Sequence, residues 1–191
     1  RTPNFTNSSG DTTSQPWFYW RSDGSIEHIV VEDGITSLGN YFFYGVSCTD
    51  IKLADSIESI GGYAFSGAQI EHIKLPDKLK YINNDAFYFC DNLKEIVFPK
   101  SISSIGTSAF ENCSVLSKVS FEAMGNELTI SSRAFFKCPL LKRVDVPSLA
   151  KLSKYSFGYE KASVDGTYDG FTLGVYSGSK AYNYAQSSFI N

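Results

Sequence analysis

The feature that most constrains this chain is a phenylalanine that returns about once every 22 residues. It stands at Phe43, Phe65, Phe87, Phe110, Phe135 and Phe157, at intervals of 22, 22, 23, 25 and 22 residues. Around it the sequence keeps rewriting one unit, clearest as Leu93-Lys94-Glu95-Ile96-Val97-Phe98-Pro99 followed by Ile102, Ile105, Ala109, Phe110 and Cys113. A unit this short cannot bury its apolar face alone and does so only by stacking on its neighbours. The period therefore predicts a solenoid of about six coils over residues 26–157.

Each coil opens with an apolar-x-x-apolar-x-apolar stretch. The six are Ile26/Ile29/Val31, Cys48/Ile51/Leu53, Ile70/Ile73/Leu75, Leu93/Ile96/Phe98, Leu116/Val119/Phe121 and Leu141/Val144/Val146. Their period of two and β-branched residues predict strands whose fourth and sixth positions point inward. Pro76, Pro99 and Pro147 end three of them, where a missing N–H is tolerated. A second apolar pair follows at Ile35/Leu38, Ile57/Ile60, Leu79/Ile82, Ile102/Ile105 and Leu149/Leu152, with Gly39, Gly61 and Gly106 placed for tight corners. Ala64, Ala86, Ala109, Ala134 and Ser156 precede their phenylalanines, small enough to let one coil approach the next, whereas Phe42 breaks this rule. The coil between Phe121 and Ile130 carries two extra residues, which predicts a loop on one face.

The ends differ from this pattern. Residues 1–16 are almost wholly polar and read as a disordered linker or tail, and residues 17–25, with Trp17-Phe18-Tyr19-Trp20, read as an aromatic cap on the open end of the stack. Residues 158–191 combine an irregular segment, a last strand at Phe171–Val175 and a capping helix over residues 179–189. Of four cysteines, Cys90, Cys113 and Cys138 each stand three residues after a repeat phenylalanine, where earlier coils place Val46 and Ala68. That slot wants a small buried side chain, so buried thiols are expected rather than disulfides or a zinc site. A net charge of -3 supplies no field to draw nucleic acid, and no apolar run nears the roughly 20 residues that span a bilayer.

Residues 93–113 resemble, almost position by position, the BspA-type leucine-rich repeat, whose unit reads roughly L-x-x-I-x-I-P-x-S-V-x-x-I-G-x-x-A-F-x-x-C. The ends are similar to that family as well, in Val30-Val31-Glu32-Asp33-Gly34 and in Gly178-Ser179-Lys180-Ala181 with Tyr184-Ala185. The resemblance implies a leucine-rich-repeat solenoid of mixed α/β class, mostly short parallel strands and turns. It also implies a secreted or cell-surface microbial protein, often used in virulence for adhesion to host cells or extracellular matrix proteins. It transfers no binding site, because the family signature consists of core residues.

Candidate binding residues come from reading the strands outward. The third strand position gives His28, Asp50, His72, Glu95, Lys118 and Arg143, and the fifth adds Lys52 and Lys74 among Val30, Val97, Ser120 and Asp145. Solenoids commonly use such a face for a protein partner. His28 and His72, about 9.6 Å apart across two rungs, are too distant to share one zinc, so no metal is expected, while their titration near pH 6.5 makes a pH-dependent surface the expectation. A rival patch is Phe89, Phe136 and Tyr159 on the opposite side. Asp165–Gly170 faintly resembles a calcium loop but lacks the closing glutamate, and Asn4, Asn7 and Asn112 sit in glycosylation acceptors. No P-loop, Gly-x-Ser-x-Gly or His-Glu-x-x-His occurs, so neither catalysis nor a cofactor is expected. The alternative to a binding module is a structural spacer or targeting domain of a larger surface protein, with no ligand of its own.

Overall fold

The computed structural model describes residues 28–48, 50–158, 171–177, 179 and 181. They form a parallel β-solenoid of about six turns, built from short strands and turns with almost no helix among the described residues. In chain order the strands are β1 (His28–Val30), β2 (Ser37–Leu38), β3 (Asp50–Lys52), β4 (Ser59–Ile60), β5 (Tyr81–Ile82), β6 (Glu95–Phe98) and β7 (Ser104–Ile105). They continue as β8 (Lys118–Phe121), β9 (Leu128–Ile130), β10 (Phe135–Phe136), β11 (Arg143–Asp145), β12 (Ala150–Leu152), β13 (Phe157–Gly158) and β14 (Thr172–Gly174). The tail, the aromatic cap and most of the capping helix lie outside the described residues, whereas the expected last strand is β14, paired with β11.

Each coil has three sides. The second apolar pair builds a six-stranded parallel sheet, in the order β12-β9-β7-β5-β4-β2. Its register aligns Leu38, Ile60, Ile82, Ile105, Ile130 and Leu152 in one column, all but Leu152 fully buried. A turn fixes where each segment enters: the N–H of Ile57, Leu79 and Ile102 donates to the carbonyl three residues back, on Ala54, Pro76 and Pro99. In the sixth coil the same turn runs from Ala150 to Pro147, so Ala150 fills the inward slot and Leu149, expected there, is 46% exposed. The reason is one residue fewer between Pro147 and Leu152 than between Pro99 and Ile105, which shifts the pair without shifting the turn.

The second side carries the phenylalanines. Phe43, Phe65, Phe87, Phe110, Phe135 and Phe157 are all at most 3% exposed and stack in sequence, with centroids 5.3, 4.9, 4.8, 5.2 and 5.1 Å apart. Phe171 extends the column at 5.9 Å. Each buried ring contributes up to about 3 kcal/mol. The residue before each ring serves the backbone: Phe43, Phe65, Phe87 and Phe110 donate their N–H to the carbonyls of Ala64, Ala86, Ala109 and Ala134 in the next coil. The cysteine slot adds a bond in the other direction. The thiols of Cys90, Cys113 and Cys138 donate to the carbonyls of Phe65, Phe87 and Phe110, at 3.1, 3.2 and 3.1 Å. All four cysteines are free and buried.

In each of the first five coils two residues adopt left-handed backbone on this side, and they flank the phenylalanine. Two before it stand Tyr41, Tyr63, Asp85, Ser108, Arg133 and Tyr155, with φ between 54° and 61°, and two after it stand Gly45, Gly67, Phe89, Asn112 and Lys137. Glycine or asparagine marks three of the five residues in the second column and none of the first, so the first turn carries no glycine or asparagine signal in any coil. The corner glycines answer a different need. A Cβ on Gly61 would lie 2.5 Å from the Gly39 carbonyl carbon, and one on Gly106 would lie 2.6 Å from that of Asn83, so they are there for close approach of the preceding coil.

Candidate functional site

The third side is the strand face, and it is not continuous. Its strands pair only as β1 with β3, β6 with β8 and β11 with β14. The stretch between them in the third coil, Ile70–Leu75, follows the same apolar pattern yet forms no strand, and among the described residues no backbone hydrogen bond involves His72 to Leu75. The outward columns expected as one ladder are therefore segmented. His28, Asp50, Lys52, His72, Lys74, Glu95, Lys118 and Arg143 are all exposed, as the alternation requires. His28 lies beside Asp50 in register, Nδ1 to carboxylate 3.5 Å, and Glu95 lies beside Lys118, also 3.5 Å. Arg143 instead forks onto Asp145 of its own strand at 3.0 and 2.5 Å, a pairing that holds its guanidinium above its usual range. His72 and Lys74 sit on the unpaired stretch, and Glu71 beside them is held below its ordinary value by a hydrogen bond from Lys94 at 2.6 Å.

At the break in the ladder the surface opens into a groove of about 400 Å³. Ile73, Leu75 and Pro99 are buried beneath it, and Val97, 47% exposed, stands on one wall. The charged lining is His72, Lys74 and Asp77 from the third coil, Glu95 from the fourth and Glu122 from the fifth. Glu122 belongs to the insertion, and its carboxylate accepts the backbone N–H of Lys100 at 3.0 Å, which ties the inserted loop to the groove wall. The groove thus gathers two departures from the repeat, an unpaired strand segment and the extra residues of the fifth coil, beside the exposed strand valine. Sequence reasoning placed His72, Lys74 and Glu95 on the face but missed Asp77, Pro99 and Glu122 as partners. The insertion was the available signal for Glu122.

The opposite side gathers charge differently. Glu111 is 3% exposed, and Arg133 reaches it at 2.6 Å while its guanidinium covers the Phe136 ring at 4.6 Å. Phe136, expected as part of an exposed aromatic patch, is 5% exposed, because Arg133 lies over it. Phe89 is 45% exposed, and Tyr159 falls outside the described residues. Beside this cluster burial raises the Asp85 carboxyl, and the Tyr63 phenol bonded to it is pushed up to about 12 by burial and then by the Asp85 charge. Among the described residues no group of three histidine, cysteine or acidic side chains could hold a metal, and no helix is long and apolar enough to cross a membrane.

Solved structures share this architecture. The pneumococcal vaccine antigen PcpA is similar over 78% of this chain and 44% of its own, with 22% identity and a TM-score of 0.55. The leucine-rich repeat protein TpLRR of T. pallidum is similar over 86% of this chain and 85% of its own, with 23% identity and a TM-score of 0.55. At these identities the likeness establishes the fold, and this chain spans less than half of the pneumococcal protein's length. No curated protein sequence matches the chain at a significant level. The profile of the BspA-type leucine-rich repeat region matches residues 14–140 in six copies, a span that takes in the stacked phenylalanines from Phe43 to Phe135 and the four cysteines. This chain belongs to the BspA-type leucine-rich repeat family.

Proposed function

We propose that the chain is a non-catalytic protein-binding module of a secreted or cell-surface microbial protein, adhering to host cells or extracellular matrix proteins through its strand face. The observation that carries this reading is the groove between the third and fifth coils. There a repeat otherwise given to self-pairing leaves apolar and charged groups together at the surface. Surface solenoids present partners with rows of side chains across successive coils, and the exposed columns from His28 to Arg143 supply such rows. The groove lining contains no serine, threonine, tyrosine or cysteine beside His72, so it offers no nucleophile and base in one place. That composition supports recognition rather than chemistry.

The test is binding of the purified protein to intact host cells and to a panel of matrix proteins, at about pH 7.4 and about pH 5.5, spanning the histidine range. A variant carrying Asp50→Lys, Glu95→Lys, Lys118→Glu and Arg143→Glu is measured beside it. Saturable binding that disappears in this variant, while its melting stays cooperative, is the expected result. Undiminished binding would move the contact off the strand face, and no binding by either protein would favour a spacer that holds another domain.

A further inference from the structure

The charges around the groove say which kind of side chain fits it. Besides His72, the lining carries Lys74 against Asp77, Glu95 and Glu122, one basic side chain against three acidic ones. Glu95 shares its carboxylate with Lys118 across 3.5 Å between two exposed side chains, a pairing of small worth in water. Glu122 is held by a backbone N–H, which leaves its charge uncompensated. Among the described residues Asp77 has no ion pair or side-chain hydrogen bond. The fourth coil, which lends Glu95, also supplies Val97 and Pro99 to the apolar lining.

Resting on the binding-module reading above, we infer that the groove seats an arginine or lysine side chain from an extended segment of the protein partner, next to an apolar residue of that segment. A long basic side chain has two parts, an aliphatic stem and a charged head. The stem lies along Val97 and Pro99, and the head reaches the carboxylates of Glu95 and Glu122, where guanidinium–carboxylate hydrogen bonds are stronger than neutral ones. Lys74 on the third-coil wall repels the cation from that end and so sets its direction. An anionic side chain would face three carboxylates. A volume of about 400 Å³ lies at the lower end of ligand-pocket sizes and takes one or two side chains rather than a folded surface.

The experiment titrates two capped tripeptides, acetyl-Val-Arg-Val-amide and acetyl-Val-Glu-Val-amide, into the isotopically labelled protein and follows backbone amide resonances. The arginine peptide is expected to shift the amides of Ile73 to Leu75, Glu95 to Phe98 and Glu122 in a saturable way. The glutamate peptide should leave them in place. The triple variant Asp77→Asn, Glu95→Gln, Glu122→Gln, all at exposed positions, should weaken the arginine peptide by about tenfold or more, equivalent to about 1.4 kcal/mol. Equal shifts with both peptides, no groove shifts with either, or full affinity in the triple variant would overturn the inference. Should host cells bind the protein and its triple variant equally, the basic-segment inference fails while the adhesive reading stands. Should the arginine peptide seat as expected and no cell or matrix protein bind, the reverse holds.

Discussion

The phenylalanine side and the strand face are made by the same repeat, yet one is continuous and the other is broken. On the phenylalanine side every described coil hands its neighbour a ring stack near 5 Å, and the third, fourth and fifth coils add a thiol bond as well. On the strand face the ladder survives as three separate pairs, with an unpaired segment between the first two. The contrast teaches that cohesion along the stack is concentrated on the phenylalanine side and in the six-stranded sheet. The strand face, relieved of that task, can vary its outward residues and open a groove without loosening the coil.

The largest effect that would test this division is Phe110→Ala. Phe110 is fully buried at the middle of the column, and its loss should cost about 3 to 5 kcal/mol, with one cooperative transition shifted to lower denaturant or split in two. Val97→Ala on the strand face, measured the same way, should cost under about 0.5 kcal/mol. Similar costs for the two would erase the distinction.

A reciprocal pair sharpens the account of the turns around the phenylalanine. Gly67 has φ of 68°, and an added Cβ would meet nothing closer than 3.9 Å, so Gly67→Ala should lose about 1 kcal/mol from backbone conformation alone. Ser108 has φ of 54° with a small buried side chain, and Ser108→Gly should gain up to about 1 kcal/mol. Opposite signs in urea melts are the expected outcome, and equal signs would remove backbone strain as the explanation.

The subtlest test concerns Asp85. Burial raises its carboxyl above the ordinary carboxylate range, so the folded protein holds that proton more firmly than the unfolded chain. The resulting stability is fully present below the unfolded value and is lost as pH rises through the folded one. Asp85→Asn should therefore melt higher than the parent at neutral pH, and the gap should close on acidification. In the same variant the Tyr63 phenol, now at about 12 partly because of the Asp85 charge, should titrate lower in ultraviolet absorbance. A gap that widens in acid would contradict the argument.

Much of this fold can be read from residue order, because a stack of near-identical coils repeats its own instructions. The phenylalanine column, the small residue before it, the buried cysteines and the outward position of all eight candidate residues follow from spacing alone. What resisted reading depends on comparisons between coils rather than within one. Ile70-Glu71-His72-Ile73-Lys74-Leu75 carries the same pattern as Leu93 to Phe98, so nothing local announces that its ladder is missing. Leu149 and Ala150 trade places through a single missing residue, and Phe136 is hidden by an arginine three positions earlier. The groove needed three things at once: a released segment, a loop two coils away and an aspartate just past that segment.

The thiols give the stack an internal gauge of where it comes apart. Cys48, Cys90, Cys113 and Cys138 are spread along the coils, buried and unlinked, and burial raises the Cys48 thiol to about 11 and pushes those of Cys90 and Cys113 well above the ordinary thiol range. None can react with an alkylating reagent until its neighbouring coil lifts away, so the four labelling rates report four local opening events in one molecule. Differences among them would map whether the array peels from its ends or parts beside the groove, a zipper whose teeth count themselves.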